Sequence, residues 1–245
     1  MTGPVTRFVW AGAGLVFVVL SIAGIATIGH FPQPTDPPAQ FVTYFTLHRN
    51  AILTTNVLLS LANGALLIWF ALLCHTLLET GTRSPLPTLA FGAAILLCAL
   101  GAAGAMLPAG LAHYGTTGLE PGTVRLLQNI YYTSNAFSAL PAALAVGARG
   151  ALPHTDRVLP RWLSLVSVAI AVVELVATFT LKSDGDFFSP AGTYGTAILF
   201  GSLTAWVLLV TVTLSLTAAR PCLSASRETP SVDLHPCRAR LDYPT

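Results

Sequence analysis

Six long apolar stretches dominate this sequence, at residues 8–28, 51–77, 86–111, 124–146, 159–181 and 191–218. Each reaches the roughly 20 residues that an α-helix needs to cross the hydrocarbon core of a bilayer. Inside hydrocarbon every backbone N–H and C=O must find its partner within the protein, so a spanning segment is a helix or part of a closed barrel. A barrel strand would alternate apolar and polar side chains over about ten residues, and none of these stretches alternates. The connections carry helix breakers, as in "HFPQPTDPPAQ", "ETGTRSPLP", "ARGALPHTDRVLP" and "KSDGDFFSPAG". The chain therefore reads as all-α: a polytopic bundle of six transmembrane helices over 1–220. A tail at 221–245, rich in Pro, Ser and Arg and lacking apolar periodicity, is expected to be disordered.

Charge decides orientation. Charged residues are only 9% of the chain, against about 25% in soluble domains, so the few that remain are informative. The total is nearly balanced, 12 basic against 10 acidic, which gives no reason to expect a nucleic-acid partner. Short loops on the cytoplasmic side of a membrane are enriched in Arg and Lys. With the N-terminus inside, the inner side holds nine, Arg7, Arg83, Arg149, Arg157, Arg161, Arg220, Arg227, Arg238 and Arg240, and the outer side three, Arg49, Arg125 and Lys182. The expected protein is multi-pass in the plasma membrane with both termini cytoplasmic. Its first stretch is longer than the roughly 7–15 apolar residues of a signal peptide and lacks a clear Ala-x-Ala site, so it is expected to remain as a span.

Cys74 and Cys98 lie in apolar stretches, where a thiol behaves as a small apolar side chain. Cys222, His235 and Cys237 in the tail lack the paired spacing of a zinc site. Three outer histidines, His30, His48 and His113, form no tight ligand motif. Neither a metal nor a cofactor is expected. "TDPPAQFVTYFTLHRN" is read as a short helix at the outer interface, because Pro37 suits a helix start and Phe41, Tyr44, Phe45 and His48 recur at helical spacing.

Glu174, within "VSVAIAVVELVATFTLK", is an acid inside a stretch that otherwise suits lipid. An ionised carboxylate deep in a spanning helix costs about 2.5–3.5 kcal/mol on insertion scales. The expected form is a neutral carboxyl, hydrogen-bonded inside the bundle, the alternative being an ion pair with Arg49. Asn56, Ser60 and Asn63 share one helix face, and Gln128, Tyr131 or Tyr132, Asn135 and Ser138 share another. Together with Ser167, Glu174 and Thr178, they form polar stripes that should turn towards the bundle interior. Interhelical hydrogen bonding, at about 0.6–2 kcal/mol per pair, would account for such stripes. The functional reading is an outward-facing polar pocket with Glu174 at its base. Its candidate ligand-binding residues are Glu174, Asn56, Asn135, Tyr132, Gln128, Arg49 and His48. Gly101, Ala105 and Ala109 form a small-residue stripe suited to close helix approach.

"YFTLHRNAIL" and "LPRWLSLVSVAIAV", each leading into an apolar stretch, resemble a group of uncharacterised bacterial six-helix integral membrane proteins of the domain-of-unknown-function kind. The resemblance implies one six-helix domain in the plasma membrane and carries no activity or site residue. Three classes of function stay open. A module binding a small hydrophobic or polar ligand or a membrane lipid comes first, alone, as a homo-oligomer or as an accessory subunit. A small transporter subunit and a membrane enzyme acting on a lipid or isoprenoid follow. No internal repeat supports transport, and no motif for phosphate or nucleophile chemistry appears.

Overall fold

The computed structural model describes residues 4–29, 31–79, 84–151, 160–182, 187–192 and 194–225, and among these every regular element is helical. The order is α1 (Pro4–Ile28), α2 (Pro38–Leu47), α3 (Arg49–Glu79), α4 (Leu86–Tyr114), α5 (Pro121–Gly150), α6 (Arg161–Ala177) and α7 (Leu199–Ala225). A 3-10 turn, Thr178–Lys182, extends α6, and a π-helical turn, Tyr194–Ile198, leads into α7. His30, Arg83, Arg157, Asp184, Asp186 and residues 226–245 lie outside the described residues. The last helix continues five residues into the segment expected to be tail.

Five helices are long and apolar enough to cross a membrane: α1, α3, α4, α6 with its 3-10 turn, and α7. The expected sixth, α5, has the length at 30 residues but is interrupted by Gln128, Asn129, Thr133, Ser134, Asn135 and Ser138. α2 is the short helix expected before the second span, with Pro38 in its first turn and Phe41, Tyr44 and Phe45 buried.

The long helices pack in chain order, α1 on α3, α3 on α4, α4 on α5, α5 on α6, α6 on α7, and α7 back on α1, closing a ring. α2 crosses one end of that ring, touching α3, α4 and α5. At the other end lie the start of α1 and the last turns of α7. Close approach on α4 comes at Gly104, where a methyl would overlap the Ser134 hydroxyl of α5. The stripe expected at Gly101, Ala105 and Ala109 sits beside this contact, and Gly101 and Ala105 instead border a central crevice.

Towards the terminal end, the ring is filled by aromatic side chains. Trp10 stacks on Trp69 at 5.6 Å, Trp69 meets Trp206 edge-on at 5.5 Å, and Phe70 lies 6.0 Å from Trp206. Buried indole N–H groups need acceptors. Trp69 Nε1 donates to Thr211 Oγ1 at 3.0 Å and Trp206 Nε1 to Ser167 Oγ at 2.8 Å. Ser167, expected on a polar stripe, is thus engaged by this core.

Candidate functional site

At the α2 end the ring is not filled. A cavity of about 260 Å³ lies there, walled by Ile25 and Ile28 of α1, Thr55 and Leu59 of α3, Tyr131, Tyr132 and Asn135 of α5, and Ala197 and Phe200 around the start of α7. Its roof is the strap between α1 and α2. Gly29 turns the chain out of α1 with φ +68°, a left-handed conformation that glycine adopts without strain. Phe31 then folds back over the cavity, its ring 5.2 Å from Tyr44, 6.1 Å from Tyr131 and 6.3 Å from Tyr132. Two hydroxyls clamp the strap: Tyr44 donates to the Ile28 carbonyl at 2.9 Å and Tyr132 to the Pro32 carbonyl at 3.1 Å. Burial pushes the Tyr44 phenol up to about 12, so this donor keeps its proton at physiological pH. Asp36 Oδ2 accepts from the Gln33 N–H at 2.7 Å and fixes the turn that follows.

Gln33, Tyr132 and Ala191 also border a second hollow, a surface cleft of about 280 Å³ between the strap, α5 and residues 189–191. Inward, Leu59, Tyr131, Asn135 and Phe200 border a narrow crevice of about 70 Å³ that reaches Ser21, Ser60, Asn63 and Ser138. Three hollows therefore run in series, from the surface of the α2 end to the middle of the ring. The π-helical turn shapes one wall, and Gly195 is needed in it. A methyl there would stand 2.5 Å from the Pro190 carbonyl oxygen and 2.7 Å from that of Ser189.

The residues expected at the site divide. Asn135, only 4% exposed, and Tyr132 line the cavity. Gln128 is fully buried beside Tyr132, and neither of its amide atoms is in hydrogen-bond geometry with another described residue. It lines none of the three hollows. Asn56 is half-buried, and its amide donates to the Ile52 carbonyl of its own helix at 2.9 Å. α3 faces the cavity through Thr55 and Leu59 instead. His48 stacks on Tyr44 at 4.5 Å, outside the cavity. Arg49 is a correction to the expected set. Its Nε and Nη2 donate to the carbonyls of Ala112 and His113 at 2.9 and 3.1 Å. A cation is favoured at a helix C-terminus by unpaired carbonyls and the helix dipole, so Arg49 caps α4 and borders none of the three hollows.

Glu174 is the second correction. It is fully buried, as expected, but turns towards α7 and away from the hollows. Ser202 Oγ stands 2.6 Å from its Oε1 and 3.0 Å from the Leu199 carbonyl oxygen. A hydroxyl carries one proton, so a neutral Glu174 with a proton of its own gives each of the two contacts a separate proton. Glu174 Oε2 has no hydrogen-bond partner among the described residues. Ionised, this group would be a buried charge with one donor at most, an arrangement that proteins avoid. Glu174 thus joins α6 to α7 rather than forming the base of the pocket.

Phe31, Gln33, Thr55 and Phe200 are among the lining residues that sequence reasoning missed, and Tyr131, read there only as the alternative to Tyr132 on the polar stripe, lines the cavity beside it. "HFPQP" carried the only signal for the first two: an aromatic and an amide among prolines, in a connector too short to wander. No protein-family model, curated protein or solved structure matches this chain significantly.

Proposed function

We propose that this protein is a six-span plasma-membrane protein, both termini cytoplasmic, that holds a small molecule or lipid in an outward-facing cavity beneath the α1–α2 strap. The observation that carries this reading is the unfilled α2 end of the ring, where Asn135 and Tyr131 line the cavity among apolar walls. A concave, mainly apolar site with a few convergent polar groups is the usual form of a small-molecule pocket. α5 serves as the sixth span. Its 30 residues give about 45 Å at 1.5 Å per residue, more than the roughly 30 Å of hydrocarbon. Its low apolarity follows from its place, with Gln128, Tyr132, Asn135 and Ser138 all buried and away from lipid. The Arg and Lys bias puts the α2 end outside.

Binding is favoured over transport because the aromatic cluster around Trp69 and Trp206 closes the inner half. Binding is favoured over catalysis because Glu174, the acid buried among the spans, lies in the α6–α7 seam. Native mass spectrometry of the purified protein tests this reading, compared with Leu59→Trp, which fills the cavity. Leu208→Trp, on an exposed part of α7, serves as the control. A bound molecule present in the wild type and control but lost from Leu59→Trp is expected. No bound molecule, or equal amounts in all three, would contradict the reading.

A further inference from the structure

The lining of the three hollows narrows the occupant. Among the described residues none of those bordering them is charged. Their polar groups are all amides, hydroxyls and phenols, among them Gln33, Asn129, Tyr131, Asn135 and Ser189. Arg49, the cation nearest in sequence to this end of α3, is engaged by α4. A buried anion or cation here would meet no counter-charge from these side chains, and burying an unpaired charge is far costlier than burying a hydroxyl or carbonyl that finds a partner.

The walls narrow it further. α1 joins α7 over the inner part of both helices, where Phe17, Val18, Leu203, Val207 and Val210 share one core. At Gly14 the backbone packs so closely that a methyl would overlap Thr211 Oγ1. At the α2 end the same two helices flank the cavity instead, through Ile25, Ile28, Ala197 and Phe200. Ile25 is 48% exposed and Ala197 is exposed as well. In a membrane this side of the ring faces acyl chains, so the cavity has an apolar mouth at the level of the outer leaflet and a polar floor behind it. The surface cleft on the other side of Tyr132 has a mixed lining, with Gln33, Asn129, Thr133 and Ser189 beside Leu181 and Pro190.

We propose that the occupant is an uncharged amphiphile that enters from the outer leaflet through the mouth between α1 and α7. Its hydroxyl- or carbonyl-bearing head bonds Asn135 and Tyr131, and its tail lies between Ile25 and Phe200. This inference rests on the binding reading above and adds the class of ligand and its route.

The test uses the full chain in phosphatidylcholine nanodiscs. One probe is a monoacylglycerol with a diazirine in its chain. The other is the fatty acid with the same chain, at a pH where its carboxyl is ionised. The monoacylglycerol is expected to crosslink saturably to α1 near Ile25 and to α7 near Phe200, and unlabelled monoolein should compete it away. The carboxylate should label these positions about tenfold less, since its charge finds no partner. Ala197→Trp should block labelling by narrowing the mouth, with Leu208→Trp as a folded control. Equal labelling by both probes, or labelling that never saturates, would overturn the proposed class. A molecule lost from Leu59→Trp in the mass-spectrometric experiment would then still support a binding cavity, so the two readings fail separately.

Discussion

The two halves of the helical ring are built from the same helices but filled in opposite ways. Around Trp69 and Trp206 the interior is closed by large rings whose N–H groups are satisfied by Thr211 and Ser167. Around Tyr131 and Asn135 it holds an open cavity of about 260 Å³ with a strap for a roof and a π-helical turn for a wall. Interiors pack to nearly crystalline density where nothing else is required of them, so the terminal half does the holding. The α2 half gives up such contacts and leaves Tyr131 and Asn135 beside a cavity. Irregular helix turns recur at such places because they free backbone groups and re-aim side chains.

The largest expected difference between the halves is in stability. Trp206→Ala removes a fully buried ring and should cost about 3–5 kcal/mol, measured by reversible unfolding in mixed micelles. Phe200→Ala borders an existing cavity and should cost less than half as much. Equal losses would mean that the cavity half is as tightly packed as the aromatic half.

A smaller effect probes the joint between α1 and α7. A methyl at Gly14 would stand 2.8 Å from the Trp69 ring and overlap Thr211 Oγ1, so Gly14→Ala should destabilise by about 1–3 kcal/mol. Gly12, on the same helix, has open space where its methyl would go, and Gly12→Ala should be neutral or stabilising by up to about 1 kcal/mol. Thermal unfolding of the pair decides it. Indistinguishable variants would remove the close joint that leaves the mouth open further out.

The smallest effect concerns Glu174. Glu174→Gln keeps the shape and hydrogen bonding of a neutral carboxyl, so stability should change by less than about 1 kcal/mol, whereas Glu174→Leu should lose about 1–2 kcal/mol with the Ser202 contact. Were the residue an ionised partner of a cation, Glu174→Gln would cost about 3–5 kcal/mol. Denaturant titration of both variants separates these outcomes.

The all-helical architecture with its long apolar helices was legible because hydropathy and helix breakers act locally. The burial of Gln128, Tyr132, Asn135 and Glu174 followed from the cost of polar groups in lipid, and α2 from its proline start and aromatic spacing. The choice among neighbouring positions was not legible. Consecutive residues on a helix are about 100° apart, so a modest rotation of α3 exchanges Asn56 for Thr55 at the cavity, and no pattern in one helix fixes that rotation. Glu174 shows the same limit, since a buried acid must face protein but its own stretch does not say which neighbour. Arg49 was misplaced for another reason. Its depth near the polar stripes suggested a place at the pocket mouth, while the free carbonyls at the end of α4 offered it acceptors closer at hand.

The central claim is that one half of the ring is open to the outside and the other half is sealed. Cysteines at Asn135, on the cavity, and at Val207, in the aromatic half, test it directly with a membrane-impermeant thiol reagent added to intact cells. The account predicts that Asn135→Cys reacts from outside and is protected by a bound amphiphile, while Val207→Cys stays unreactive even after the membrane is permeabilised. Reaction of Asn135→Cys only from the cytoplasmic side, or equal reaction at both positions, would contradict it.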